Sequence, residues 1–215
     1  MEITHLGHSS FRIKGKDTAI VTDPFDPDML GARFPKVSAD IVTVSHDHKD
    51  HNRADLVQDV RKVINGPGEY EISGTSIIGI PSYHDDKGGA QRGKNTIYII
   101  EMDGIRLAHL GDLGHELKEK DVGQFGQIDV LFIPTGGVYT IGPKEAYNST
   151  QEIEPKVIIP MHFKTSEVSG ESFASLSGID EFISQDGFKV EKVDKLKLKK
   201  EDLIEGQQVL YIFTQ

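Results

Sequence analysis

Short apolar runs rich in β-branched residues recur along the chain, and turn-forming glycine, proline, asparagine or aspartate residues lie between them. Such runs are typical of strands, whereas apolar residues spaced at i, i+3 and i+4 indicate helices. The runs predict strands at residues 10–13, 19–22, 41–45, 76–83, 96–100, 106–110, 129–134, 157–161 and 209–213. Helical spacing predicts helices at residues 52–62, 115–124, 144–153 and 172–185.

The order of these elements favours a sandwich of two sheets. Met102-Asp103-Gly104 separates two adjacent strands, and Asp-Gly supplies the positive φ angles that a tight hairpin turn needs. Hairpins come early in each half, and helices are interspersed among the later strands. We therefore predict an α+β fold, an αββα four-layer sandwich of two mixed sheets covered by helices, rather than a doubly wound parallel sheet.

Length and composition favour one domain. At 215 residues the chain is long enough for one well-buried core, and no linker, repeat or low-complexity tract divides residues 1–215. No apolar run approaches the ~18 residues of a membrane span, and the first residues lack the basic start and apolar stretch of a secretory signal. We therefore expect a cytoplasmic protein without membrane contact, and the sequence leaves a homo-oligomer open.

Charge and cysteine content restrict the chemistry. The net charge of −10 argues against nucleic acid as a partner, because such binding depends on Lys and Arg that neutralise phosphates. The chain has no cysteine, which excludes disulfides, thiolate nucleophiles and Cys-ligated zinc. Any metal site must therefore use nitrogen and oxygen ligands, a set that suits Zn and also Mn, Fe, Co or Ni.

Residues 46–51 contain the highest density of potential metal ligands in the chain. Their pattern H-x-H-x-D-H places four potential metal ligands, His46, His48, Asp50 and His51, in one short loop, and this pattern indicates a metal site. The loop follows the strand predicted at residues 41–45. In mixed α/β folds such strand ends carry chemistry, because the sheet holds the roots of the loop rigidly.

Further ligand-type residues follow other predicted strands. They are His84, Asp112 and His162. A lone histidine after a strand is more often a surface residue or a histidine with ordinary partners. Four strand-end loops of one domain that all carry such residues favour a convergent site.

The ordered set of these seven residues resembles the five-part metal signature of the metallo-β-lactamase superfamily, and the likeness covers nearly the whole chain. Within the superfamily the chain is most similar to single-domain metal-dependent hydrolases of the ascorbate-lactone hydrolase group and the bacterial hydrolases around it. The segments that carry this likeness are LGHSSF at 6–11, TDPF at 22–25, HLGD at 109–112, TIGPKEA at 140–146 and PMHF at 160–163.

The resemblance implies two divalent metal ions, with zinc as the expected metal. The implied ligands are His46, His48 and His84 for the first ion and Asp50, His51 and His162 for the second, with Asp112 as the bridge between them. It further implies that a hydroxide between the ions is the nucleophile. Asp50 would orient that hydroxide and pass a proton to the leaving group.

Four other residues have two interpretations each. Asp23, which precedes a proline, either accepts a hydrogen bond from a ligand imidazole or starts a turn. His8 and His115 either reach the substrate or leaving group, or have a helix-capping or surface role. Arg92, in the glycine-rich loop after His84, is either a clamp for an anionic substrate or a solvated loop charge.

The leading hypothesis is a hydrolase of a small ester-like substrate, either a phosphodiester or a lactone, since one bridging hydroxide serves both kinds of centre. A non-hydrolytic metal or ligand sensor on the same fold, and a nucleic-acid-processing phosphodiesterase, are the alternatives. We do not expect nuclease, tRNA-processing or antibiotic-hydrolysing activity. The chain shows no long inserted domain, no tRNA-binding arm and no export signal of the kinds that accompany those activities in the superfamily.

Overall fold

The computed structural model describes residues 1–185 and 187–214, in which strands predominate. In chain order the strands are β1 (Glu2–Gly7), β2 (Ser10–Lys14), β3 (Ala19–Thr22), β4 (Val37–Ser38), β5 (Ile41–Thr43), β6 (Val57–Gln58), β7 (Lys62–Ile64), β8 (Gly68–Ile72), β9 (Thr75–Tyr83), β10 (Lys94–Met102), β11 (Ile105–His109), β12 (Val130–Pro134), β13 (Val157–Met161), β14 (Lys189–Val193), β15 (Leu196–Lys197) and β16 (Val209–Phe213). The helices are α1 (Pro27–Leu30), α2 (Glu119–Val122), α3 (Pro143–Ile153) and α4 (Ile179–Ile183), with 3-10 turns at Ala54–Leu56, Glu171–Phe173 and Lys200–Asp202.

The strands form two large mixed sheets and one small one. The first sheet has the order β15-β1-β2-β3-β5-β7, the second has the order β14-β16-β13-β12-β11-β10-β9-β8, and β4 pairs with β6. Within the first sheet β3, β5 and β7 are parallel, and within the second β11, β12 and β13 are parallel. Because the carboxyl ends of parallel strands meet at one edge of a sheet, residues that follow these strands lie close together.

The two large sheets pack face to face around the main hydrophobic core. Along β10, Tyr98 and Ile100 belong to the core between the sheets, whereas Ile97 and Ile99 belong to the core on the outer side. Phe11 of β2 lies in the same inner core from the facing sheet. Burial on both faces explains why residues 97–100 in the middle of β10 form a continuous apolar run rather than an alternating pattern.

Different elements cover the two outer faces. Helices α3 and α4 cover the second sheet, where Ala146, Ile153 and Phe182 join the outer core. The outer face of the first sheet is covered by β4, β6 and the adjoining turns, through Val37 and Val57. The predicted sandwich is confirmed, and its layer over the first sheet consists of short strands and turns.

The helix predicted at residues 52–62 is wrong. Its apolar residues form the 3-10 turn Ala54–Leu56 and then β6, which pairs with β4. Asp59 has a φ of 63°, which interrupts regular backbone before β7. Spacing alone cannot assign a short apolar run to helix or strand, and the pairing with β4 decides for a strand.

The other helices lie where they are predicted but differ in length. Helix α3 confirms the helix predicted at 144–153 and begins one residue earlier with a proline, which suits the first helical position. The helix predicted at 115–124 is reduced to α2, and the one predicted at 172–185 divides into a 3-10 turn and α4. Within residues 1–185 and 187–214, no helix has the length and apolar character needed to cross a membrane.

All nine predicted strands are present, with small differences at their ends. The predicted hairpin turn is also confirmed: β10 and β11 are antiparallel, and Asp103 and Gly104 between them have φ angles of 54° and 74°. Both angles lie in the left-handed region that the two central residues of this turn type require.

Asp129, just before β12, joins segments that are distant in the sequence. Its carboxylate accepts hydrogen bonds from the backbone N–H of Arg106 (3.0 Å), from Lys156 Nζ (3.1 Å) and from Lys200 Nζ (2.6 Å). Burial alone would raise the pKa of Asp129, but hydrogen bonds from Lys200, Arg106 and Lys156 hold it below its ordinary value. The charged carboxylate therefore stabilises the fold.

We expect Asp129→Asn to lower the free energy of unfolding by about 1–3 kcal/mol at neutral pH, because two charge-assisted hydrogen bonds are lost. Since the folded pKa is depressed, the stabilisation is present above the unfolded pKa of about 3.9 and disappears as pH falls through the folded value. Urea unfolding at neutral and acid pH measures both effects. Glu205→Gln, at an exposed partner of Lys156, is the control and should change little. Equal stability of Asp129→Asn and the unaltered protein at neutral pH would contradict the prediction.

Candidate metal centre

The loop after β5 forms the first part of the centre. β5 lies between β3 and β7, and a backbone hydrogen bond of 2.9 Å from the N–H of His51 to the carbonyl of His48 closes a turn beyond it. His46, Asp50 and His51 are buried, whereas His48 is exposed. The loop therefore presents four ligand-type side chains at the sheet edge, three of them removed from solvent.

Three other strand ends bring their residues to the same place. His84 follows β9, Asp112 follows β11 after two residues, and His162 follows β13 directly. Asp112 Oδ2 lies 3.2 Å from Nε2 of both His84 and His162, and Asp112 Oδ1 lies 3.2 Å from His51 Nε2. The carboxylate of Asp112 is thus at the centre of the cluster.

The ligand atoms fall into two groups on either side of Asp112. The first ligand group is His46, His48 and His84, and the second ligand group is His8, Asp50, His51 and His162; within each group the ligand atoms lie within 4.8 Å of one another. Asp112 itself groups with His46 and His51. All seven residues predicted as ligands therefore come together, and His8 joins them.

Many polar atoms in this cluster have no hydrogen-bond partner within the protein. They are both ring nitrogens of His8 and His162, His51 Nε2, His84 Nδ1, and Oδ1 of Asp50 and Asp112. Buried polar groups are nearly always paired, because leaving one unpaired costs about 1–3 kcal/mol. Imidazole nitrogens and carboxylate oxygens together form a donor set that fits divalent metal ions.

The electrostatics of the cluster also favour cations. Burial lowers the pKa of His46 to about 3 and that of His8 to about 4, so both imidazoles are neutral. Burial would likewise lower the pKa of His51, but the charges of Asp112 and Asp50 raise it well above its ordinary value. Burial would raise the pKa of Asp112, yet His162 and His51 hold it well below its ordinary value. The centre thus combines ionised carboxylates with imidazoles, and metal binding at His51 would displace the proton that these carboxylates stabilise.

Asp23 directly follows β3. One of its two predicted roles is to accept a hydrogen bond from a ligand-type imidazole, and the structure shows this bond. Asp23 Oδ2 accepts a hydrogen bond from His51 Nδ1 at 2.9 Å, which leaves His51 Nε2 directed at Asp112. Ser45 donates its hydroxyl to Asp23 Oδ2 at 2.6 Å and contacts His46 Nδ1 at 2.9 Å. One buried carboxylate therefore orients a histidine of each ligand group.

Asn95, at the start of β10, positions Asp112 and is not found by sequence reasoning. Its side-chain oxygen accepts the backbone N–H of Asp112 at 3.0 Å, and its amide nitrogen donates to Ser82 Oγ and to the carbonyl of Leu110. These bonds connect β9, β10 and the end of β11. No local sequence signal marks Asn95, because its partners are distant along the chain.

Asp85 organises the glycine-rich loop after His84. Its carboxylate accepts backbone N–H bonds from Lys87, Gly89, Gln91 and Arg92 at 2.7–2.9 Å. These bonds outweigh desolvation and hold the pKa of Asp85 far below its ordinary value. An aspartate at the start of a glycine-rich loop is a recognised turn signal, and this signal could have identified Asp85 from the sequence.

The loop directs Arg92 to the mouth of the centre. The guanidinium of Arg92 lies 4.7 Å above the ring of Tyr139, and both residues line an open pocket of about 410 Å³ with His48, Asp50 and Phe173. Tyr139 is in the segment that follows β12.

His115 lies beside Tyr83, with a centroid distance of 6.4 Å between the rings, and outside both ligand groups. Its role in substrate binding stays a prediction.

Comparison with known proteins places this centre in a family. A family model described as a beta-lactamase superfamily domain matches residues 2–162, about three quarters of the chain. The chain belongs to the metallo-β-lactamase superfamily. The matched region ends at His162, the last predicted ligand.

Its relatives within the superfamily are metal-dependent hydrolases. UPF0173 metal-dependent hydrolases of Thermococcus onnurineus and Methanopyrus kandleri are 29% and 31% identical, each over 195 residues that cover 77% of this chain and 85% of the relative. A crystal structure from Thermotoga maritima, described as a candidate Zn-dependent hydrolase of the superfamily, is 38% identical with a TM-score of 0.82, covering 100% of this chain and 99% of that chain.

The geometry of Asp23 predicts weaker metal binding in Asp23→Asn. In this member of the metallo-β-lactamase superfamily the substitution removes the charge that fixes His51, so the affinity for Zn should fall about 10–100-fold. Competition with a chelator measures the affinity. Asp17→Asn, an exposed substitution in the turn before β3 and outside both ligand groups, is the matched control and should leave the affinity unchanged. Equal affinities in Asp23→Asn and the unaltered protein would assign Asp23 to the turn alone.

Proposed function

We propose that the chain is a dinuclear hydrolase in which residues 1–215 form one catalytic domain that cleaves a small ester-like substrate, a phosphodiester or a lactone. The observation that carries the proposal is the pair of largely buried ligand groups, each with members 3.2 Å from Asp112 and with ring nitrogens or carboxylate oxygens that have no hydrogen-bond partner. One tetrahedral site uses three or four ligands, so this set is sufficient for two ions.

The first ligand group would hold one ion, Asp50, His51 and His162 would hold the second, and Asp112 would contribute a ligand to both. Zinc is the proposed metal, since nitrogen and oxygen donors suit it and the related Thermotoga maritima protein is described as Zn-dependent. Mn, Fe, Co and Ni are accepted by the same donors. When bound, the ions would supply Lewis acidity and lower the pKa of water to about 7.

The proposed general base is Asp50. Its side chain lines the pocket, and its Oδ1 has no hydrogen-bond partner. Burial would raise the pKa of Asp50, but the charge of His51 and the imidazoles of His51 and His8, each 3.6 Å from its Oδ2, hold it far below its ordinary value. An ionised carboxylate in this position can accept a proton from attacking water and return it to the leaving group.

The pocket supports a small anionic substrate with an apolar part. A volume of about 410 Å³ fits a small molecule, and Lys49 and Arg92 supply positive charge at its rim. Phe173 and Tyr139 supply apolar surface. This combination suits a charged phosphodiester or a carboxylated lactone. A lactone is the substrate type of the ascorbate-lactone hydrolase group that the sequence resembles.

The test of the proposed function is metal analysis combined with a substrate panel. Protein loaded separately with Zn and Mn should bind close to two ions and hydrolyse at least one phosphodiester or lactone. Asp112→Ala should reduce both metal content and turnover, whereas His48→Ala should lose one ion only, because His48 belongs to the first ligand group alone. Full metal content in both variants would overturn the ligand assignment. Metal binding without any turnover would favour a sensor instead.

Arg92→Ala tests the substrate class. We expect KM for a charged substrate to rise about tenfold, corresponding to the ~1–2 kcal/mol of a partly solvated charge-assisted hydrogen bond. Metal content and hydrolysis of a neutral ester should stay nearly unchanged, because Arg92 is outside both ligand groups. Steady-state kinetics on the two substrates measure this. Equal losses on both would indicate a structural role, and no loss on either would indicate a solvated loop charge.

A further inference from the structure

We infer that His8 is an additional ligand of the second metal site, through Nε2, and that this site thereby selects an ion that accepts six-coordinate geometry. The inference rests on the proposed dinuclear function and adds a residue outside the seven ligands that the sequence signature supplies. It also assigns different metal preferences to the two sites.

Distance and burial support this role. His8 follows β1, and its side chain has no exposed surface. Its Nε2 lies 3.6 Å from Asp50 Oδ2, and its ring centroid lies 4.1 Å from that of His162. A ligand atom of His8 is within 4.8 Å of those of Asp50, His51 and His162. His8 is therefore as close to the second site as its expected ligands are to one another.

The hydrogen-bond state of His8 supports the same role. Both its ring nitrogens are buried without a partner, whereas His51 in the same group has Nδ1 bonded to Asp23. Packing alone does not explain a histidine here, although its ring contacts Phe173 with centroids 5.1 Å apart. An apolar side chain would make that contact without the cost of an unpaired polar group.

The backbone at His8 is held in an unfavourable conformation. Its φ is 54°, in the left-handed region, and the carbonyl of His8 accepts hydrogen bonds from the ring of His5 and the backbone N–H of His162. His109 Nε2 contacts the next carbonyl, that of Ser9, at 2.9 Å. The turn is thus fixed from both sides, and its strained residue directs an imidazole at the second ligand group. Such strain is concentrated at functional sites.

The additional ligand changes the coordination number. The first site has three imidazoles and Asp112, a four-ligand set that matches tetrahedral zinc. The second site would have five ligands from the protein, His8, Asp50, His51, His162 and Asp112, and a water molecule would be the sixth ligand. Six-coordinate sites with carboxylate ligands suit Mn, Fe or Co better than Zn. The centre is therefore predicted to prefer a mixed pair of ions.

His8→Asn is the decisive variant, because asparagine removes the imidazole and tolerates the left-handed conformation. Metal-free protein is titrated with Mn and with Zn, the bound ions are counted, and the absorption spectrum of the Co-loaded protein is recorded. His8→Asn should retain the first ion and bind the second at least about 100-fold more weakly, beyond the effect of losing a group that only orients a ligand. The weak absorption of six-coordinate Co should be lost from the spectrum of the loaded variant.

Three further measurements make the outcome unambiguous. His115→Asn, which removes a histidine outside both ligand groups, should leave metal binding unchanged. His8→Gly, which also suits the positive φ, and the melting temperatures of the metal-free proteins show whether any loss comes from misfolding. If His8→Asn binds two ions with unaltered affinity, the inference is overturned and the dinuclear function is unaffected. This holds whether or not KM is raised. Fewer than two ions in the unaltered protein would overturn both.

Discussion

The rest of the centre depends on the contacts between the buried carboxylate of Asp112 and the histidines around it. The two carboxylate oxygens lie 3.2 Å from imidazole nitrogens of His51, His84 and His162, which reach Asp112 from three different strand-end loops. A buried charge is stable only when opposite charge or hydrogen bonds compensate for its lost hydration. Divalent cations bound between this carboxylate and the surrounding imidazoles would provide such compensation.

Three residues of the centre have unfavourable backbone conformations. His8, Asp23 and His162 have φ angles of 54°, 39° and 53°, although none is a glycine. Residues in such conformations cost on the order of 1–3 kcal/mol each and persist only where the surrounding structure fixes them. Here the adjoining strands are paired on both sides, so the sandwich supplies the rigidity that the centre needs.

Hydrogen bonds behind the ligand-type side chains connect the centre to the loop at the rim of the pocket. Asp23 orients His51, Asn95 holds the backbone of Asp112, and Asp85 fixes the loop that carries Arg92. Asp85 is next to His84 in sequence, so a ligand and the loop over the pocket share one point of attachment. Arg92 is therefore held at the rim by ordered backbone rather than by a freely moving loop.

The sequence by itself determined nine of the sixteen strands in the described residues, and the local ligand motif. Apolar β-branched runs mark those nine strands, and the H-x-H-x-D-H pattern needs no distant partner to be recognised. The helix at residues 52–62 was wrong because a short apolar window fits either periodicity, and pairing with β4 decides between them. Only the tertiary structure brought His8 and Asn95 to the centre. Their partners lie on strands far away in the chain, and long-range strand order, which local spacing does not encode, sets those distances.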